Sequence, residues 1–98
     1  MIESATRLGG DEIANRLTGL GGWALRDGAL QKTFSFGNYH KTMAFVNAVA
    51  WIAHRMDHHP DLLVGYNRCV VRYATHSAGG ITPLDFEAAA AVESLGSL

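Results

Sequence analysis

Apolar and polar positions change period several times along the chain, and each change marks an element. From Asp11 to Leu20, Ile13, Ala14, Leu17 and Leu20 recur at helical spacing. Acidic residues occupy the first turn, where the helix dipole favours them. Gly19 and the pair Gly21-Gly22 end this helix, and residues 1–9 before it read as loosely structured. Trp23 to Arg26 and Ala29 to Phe36 then make two strands around Asp27-Gly28, a dipeptide suited to a type I′ turn. That register sets Leu25 against Leu30 and puts Leu30, Phe34 and Phe36 on one face. Gln31, Thr33 and Ser35 point the other way, so the sheet has one buried and one wetter face. Asn38 to Met56 predicts the longest helix. Tyr39, Met43, Val46, Ala50 and Ala53 form a stripe, widened by Phe45, Val49, Ile52 and Met56 to about half the circumference at roughly 100° per residue. Trp51 projects from outside that arc.

A second hairpin follows. Leu62, Val64 and Tyr66 alternate with Leu63 and Gly65, and Cys69, Val71 and Tyr73 alternate with Val70, Arg72 and Ala74. Asn67-Arg68 is the expected tight turn, because Asn tolerates the positive φ of a two-residue loop. Tyr66 then pairs with Cys69, Val64 with Val71 and Leu62 with Tyr73. Extending the ladder brings His59 opposite His76, although Pro60 lacks an N–H and interrupts it. Cross-strand Cβ atoms lie roughly 4.5–5.5 Å apart, so the two imidazoles converge. A bend at the helix exit could let His58 and His59 both reach one cleft. Last, Thr82 is an N-cap, Pro83 fits the first helical position and Asp85 stands three residues after the cap, opening a helix that runs to about Leu95 before Gly96. The order is α-β-β-α-β-β-α, an α+β chain.

Ninety-eight residues suffice for a single domain, 1–98, with a modest core. A net charge of −1 and the absence of a basic run argue against direct nucleic-acid binding and acidic membranes. The single cysteine, Cys69, excludes an intrachain disulfide framework and reads as a small buried thiol. No apolar run approaches the roughly 18–20 residues that span a bilayer, and the N-terminus does not read as a signal peptide, so the expected location is the cytoplasm. The long helix is apolar enough to need more cover than one small sheet. Either a second copy of the chain or its own terminal helices supplies that cover.

The histidines carry the candidate chemistry. His58 and His59 could simply close the long helix, since cations near its C-terminus are favourable. Asp85 could be merely the third residue of a capping box, a catalytic aspartate, or both. Thr75 reads as a strand residue whose neighbour matters, and His40 as solvated. His54 and His58, four apart, could share a helix face as metal ligands, but there is no H-E-x-x-H and no cysteine at ligand spacing.

Together these residues resemble the pterin-4a-carbinolamine dehydratase family. The resemblance rests on Gly22-Trp23, Phe34-x-Phe36, the D-H-H-P at Asp57 to Pro60, Tyr66-Asn67, Thr75-His76, the glycines at 79 and 80, and Asp85. It implies a four-stranded antiparallel sheet in order 1-2-4-3 with helices packed on one face. It also implies dehydration of 4a-hydroxytetrahydropterin to quinonoid dihydropterin, with no cofactor and no metal. His58 and His76 match the family's acid/base histidines, and His59 matches one assigned mainly to substrate binding. Imidazole, with an unperturbed pKa near ~6.5, can give or take a proton near neutrality. Asp57 and the backbone from Ala74 through Thr75 and His76 to Ser77 would line the pterin site, and Asp85 could orient a histidine. The expected assembly is a homodimer or homotetramer; some relatives of this fold act as dimerisation cofactors or assembly factors instead. The chain departs from the family at His54, Leu62 and Ala74, where an acid, an aromatic and a serine are usual.

Overall fold

The computed structural model describes residues 6–96, so most of the expected loose N-terminal segment lies outside the described residues. The elements are α1 (Gly10–Leu17), β1 (Ala24–Arg26), β2 (Ala29–Ser35), α2 (Tyr39–Met56), β3 (Asp61–Val64), β4 (Arg68–Tyr73), a 3-10 turn (His76–Ala78) and α3 (Pro83–Glu93). The order and type of the helices and strands are those expected. The first helix stops at Leu17 rather than Leu20, because the N–H groups of Thr18 and Gly19 fold back three residues onto Asn15 and Arg16.

The strand pairs are antiparallel, in the order β1-β2-β4-β3. In the first hairpin Leu25 faces Leu30 as expected, and Asp27 (φ 47°) and Gly28 (φ 80°) both take the left-handed backbone of a type I′ turn. The second hairpin differs. Val64, not Tyr66, pairs with Cys69, and Leu62 meets Val71 rather than Tyr73. The turn lies at Tyr66-Asn67, closed by the Gly65 N–H donating to Arg68 O at 2.8 Å, and neither turn residue has positive φ. Tertiary contacts hold it: Tyr66 O accepts from Thr42 Oγ1 and Asn67 O accepts from the Phe36 N–H. A slip of two residues returns every side chain to its own face, so apolar alternation cannot distinguish the two registers.

Leu30 of β2 and Cys69, Val71 and Tyr73 of β4 are fully buried, beneath α2 and α3. Burial pushes the Cys69 thiol up. On α2 the buried ridge is Thr42, Phe45, Val49 and Ala53, while Tyr39 and Ala50 of the expected stripe are exposed. Phe45 packs on Phe34 and Phe36, with ring centroids 4.6 and 5.0 Å away. Each such side chain contributes roughly 1.5–3 kcal/mol on burial. α3 lies along α2, and Ala88, Ala89 and Val92 in the core give that apolar helix cover from within the chain. Glu93 ties the end of α3 to the sheet, accepting from Trp23 Nε1 at 2.8 Å and from Lys32 Nζ. Burial pushes its carboxyl up, but the bonds from Lys32 and Trp23 and the charge of Lys32 outweigh that and hold it lower than usual. Trp51 stands 62% exposed on the outer side of α2.

Candidate active site

The end of α2 delivers the first two histidines. Asp57 takes the left-handed conformation (φ 50°), the Asp57 N–H donates to His54 O and the His58 N–H reaches Ala53 O. This is a Schellman-type ending with Asp in the place usually held by Gly. The bend separates two neighbouring side chains: His58 is driven inward and buried, while His59 stays exposed at the mouth. Pro60 follows and β3 begins at Asp61.

β4 delivers the third histidine by a different route from that expected. The ladder between β3 and β4 closes at Asp61 and Arg72, so His59 and His76 are not a cross-strand pair. Beyond Tyr73 the chain makes a small loop. Thr75 and Gly80 form an isolated bridge, and between them the 3-10 turn His76–Ala78 ends at Gly79 with φ 70°. His76 thus stands exposed on a loop whose base is pinned.

Behind the histidines lies a buried polar network centred on Asp85, whose exposure is 0%. Its Oδ1 is 2.6 Å from His58 Nε2; its Oδ2 accepts from Thr75 Oγ1 at 2.8 Å and from the Thr82 N–H at 2.9 Å. Thr82 Oγ1 accepts from the Asp85 N–H in a complete capping box and lies 2.8 Å from Thr75 Oγ1. Because the Thr75 hydroxyl donates to Asp85, its oxygen accepts from Thr82. When Asp85 is ionised its oxygens only accept, so Nε2 of His58 is then the donor, and in the neutral ring Nδ1 holds the free lone pair. Asp85 is therefore both a cap and the partner of a histidine.

The His58 ring stacks on Tyr73, with centroids 5.5 Å apart and planes at 17°. The Tyr73 hydroxyl is buried with no hydrogen-bond partner among the described residues. Burial, and then the charge of Asp85, push its phenol up to about 12. An unfolded tyrosine ionises near ~10. The folded value is the higher one, so this contribution to stability is whole below pH ~10 and is lost as pH rises towards 12, roughly 3 kcal/mol over the window. Tyr73→Phe should leave neutral stability unchanged or slightly improved and remove that part of the alkaline decline. Urea unfolding of both proteins at about pH 9 and about pH 11 measures it; equal declines would contradict it.

Asp57, His58, His59, Ala74, Thr75, His76 and Ser77 together line an open cavity of about 270 Å³. Asp85 does not line it but stands behind His58. His54 is turned away, stacked on Trp51 at 5.6 Å, so it does not join His58 on a common face. Among the described residues no group of three His, Cys, Asp or Glu side chains is placed to hold a metal ion. Sequence reasoning places Thr75 at the site only through its backbone, and it misses Tyr73. The Thr75 hydroxyl is a direct partner of Asp85, and Tyr73 forms the floor under His58. The alternation of β4 does place Tyr73 inward, and that is the available signal.

Comparison with known proteins bears on this arrangement. A family model described as pterin 4 alpha carbinolamine dehydratase matches residues 6–95. A Nitrosomonas eutropha protein that carries the name of pterin-4-alpha-carbinolamine dehydratase is 58% identical over 76% of this chain and 66% of its own length. One of the same name from Nitrosospira multiformis is 53% identical over 87% of this chain and 75% of its own. The chain thus spans about two thirds to three quarters of these relatives. A crystal structure of a transcriptional coactivator/pterin dehydratase from Brucella melitensis superposes with TM-score 0.89 at 33% identity, covering 94% of this chain and all of that one. A pterin dehydratase-like protein described as a RuBisCO assembly factor in the alpha-carboxysome superposes with TM-score 0.62 at 27% identity, covering 78% of this chain and 89% of its own. Among the described residues, no helix is long and apolar enough to cross a membrane.

Proposed function

Since the chain belongs to the pterin-4a-carbinolamine dehydratase family, we propose that it dehydrates 4a-hydroxytetrahydropterin to quinonoid dihydropterin by histidine acid/base catalysis. The observation that carries this reading is the shared cavity: imidazoles from two separate segments line it, one of them backed by a buried carboxylate. The reaction needs a proton delivered to the departing C4a hydroxyl and a base for the N5 proton. As the C–O bond breaks, the N5 lone pair forms the C4a=N5 bond and the hydroxyl leaves as water. His76, exposed on its loop, is suited to deliver a proton. His58, its ring fixed by Asp85 and Tyr73, keeps Nδ1 free to accept one. His59 at the mouth contacts the pterin, with Asp57 and the Ala74 to Ser77 segment around it. Solvent exchange returns both histidines to their starting states.

Such acid–base assistance is typically worth about 10²–10⁴-fold. Stopped-flow measurement of 4a-carbinolamine decay should show acceleration over the spontaneous reaction. Decay at the spontaneous rate with folded protein would favour the second reading, a binding or assembly module on the same scaffold. The structural likeness to a RuBisCO assembly factor is the specific observation on that side.

A further inference from the structure

The chain ahead of α1 is tied to the loop that carries His76. The Leu8 N–H donates to Ile81 O at 2.7 Å, and the Leu8 side chain packs against the core. One residue earlier, Arg7 lays its side chain over Gly80. A methyl group added to Gly80 would come 3.0 Å from Arg7 Nε and 3.4 Å from Cδ and Cγ, its three nearest neighbours. We propose that Arg7 is a positioning residue, which acts through Gly80 to hold the His76 loop in its place at the cavity. Arg7 does not itself line that cavity. The proposal rests on the dehydratase reading and adds to it a part played from outside the cavity wall.

The two glycines of the loop are there for different reasons. Gly79 takes a φ of 70°, a left-handed backbone that favours glycine. Gly80 does not have positive φ, and what its missing side chain makes room for is Arg7. A Gly-Gly pair is the least restrained backbone a loop can contain, so this one needs restraint from outside.

The loop is held unequally at its two ends. At the first, Thr75 Oγ1 is bonded to Thr82 and Asp85 in the buried network. At the second, the Gly80 N–H reaches Thr75 O at 3.4 Å, longer than the 3.0 Å bond from the Thr75 N–H to Gly80 O. Arg7 bears on that second end. The contact is made by Cγ, Cδ and Nε, the stem of the side chain, so it needs no anionic partner. His76 rides on the loop between these two ends, and an acid or base displaced by about 1 Å loses up to about 10²-fold in rate.

The test compares the wild type, Arg7→Ala, Gly80→Ala, the double variant and Arg7→Lys. Stopped-flow rates give kcat and KM, and NMR gives amide exchange at Ala78 and Gly79, whose N–H groups close the turn onto Thr75 O and His76 O. Arg7→Ala should lower kcat about three- to tenfold with KM within about twofold, and should speed that exchange. Arg7→Lys keeps the stem and should restore both. Gly80→Ala displaces the Arg7 stem, so it should lower kcat in the wild type but add nothing in Arg7→Ala, where its methyl has lost those neighbours. A kcat in Arg7→Ala within about twofold of wild type, or additive losses in the double variant, would overturn the proposal. A fall in kcat with exchange unchanged would overturn it as well, since Arg7 would then act otherwise than through the loop. A wild type that does not accelerate the reaction removes the dehydratase reading, and this proposal with it, before any variant is made.

Discussion

His76→Ala is expected to slow carbinolamine dehydration by about 10²–10⁴-fold while leaving the fold intact. The ring stands exposed on the 3-10 turn, and the loop is held by backbone bonds between Thr75 and Gly80 rather than by the imidazole. Substitutions of exposed side chains away from such bonds usually stay within about 0.5 kcal/mol. Activity and stability therefore separate at this residue. At His58 they do not, because alanine there also removes the ring stacked on Tyr73 and the partner of Asp85. Stopped-flow rates and a melting curve on His76→Ala decide the matter; a rate within about twofold of wild type would remove His76 from the chemistry.

Asp85→Ala is expected to give the largest loss of stability of any single change at the site, about 3–5 kcal/mol. The carboxylate receives the His58 ring, the Thr75 hydroxyl and the Thr82 N–H, all buried, and it completes the cap of α3. Alanine leaves these donors without a partner in a region water does not reach. A domain of this length is stable by only about 5–15 kcal/mol in total, so the melting temperature should fall by roughly 15–30 °C. Asp85→Asn keeps the shape and one acceptor oxygen, so it should lose less stability. Its amide cannot accept on both sides, however, and the orientation of His58 is released. For Asp85→Asn the expected signature is a fall in kcat larger than the rise in KM, the mark of a positioning residue. A loss under about 1 kcal/mol in Asp85→Ala would mean that the network carries little energy.

Much of this arrangement is legible in the chain because its signals are local. The Asp-Gly turn, the helical stripe from Phe45 to Met56 and the Thr82-Pro83-x-Asp85 cap each depend on residues within a few positions of one another. The strand order follows from two hairpins and the family resemblance. Local turn chemistry favours Asn67-Arg68 and so puts the second hairpin two residues away from its true register. The choice is made instead by Thr42 and Phe36, which grip the turn from elsewhere, and tertiary hydrogen bonds prevail. The histidines still converge, but through the bend at Asp57 and the loop at His76 rather than through a ladder.

The polar network behind His58 is only half visible in the sequence. A capping box announces that Asp85 faces the backbone at Thr82, and the sequence leaves open whether a second use is added to that one. The carboxylate has two oxygens, and the structure gives one to each role. The Thr75 hydroxyl does not show as part of the network, because its contacts with Thr82 and Asp85 exist only once the end of β4 meets the start of α3. Three-body contacts of that kind leave no periodic trace.

A purely structural role for the histidines fits the geometry poorly. A histidine that merely closes a helix has no need of a buried carboxylate. His58 instead sits 2.6 Å from one, beside a cavity large enough to matter. His59 and His76 line that cavity with it.

The most direct measurement follows the imidazole NMR resonances of the five histidines during titration with a stable oxidised pterin. The resonances of His58, His59 and His76 should shift together along one saturation curve, while His40, near the start of α2, stays still. Movement of His58 and His59 with His76 unmoved would contradict a common pterin site between the two segments.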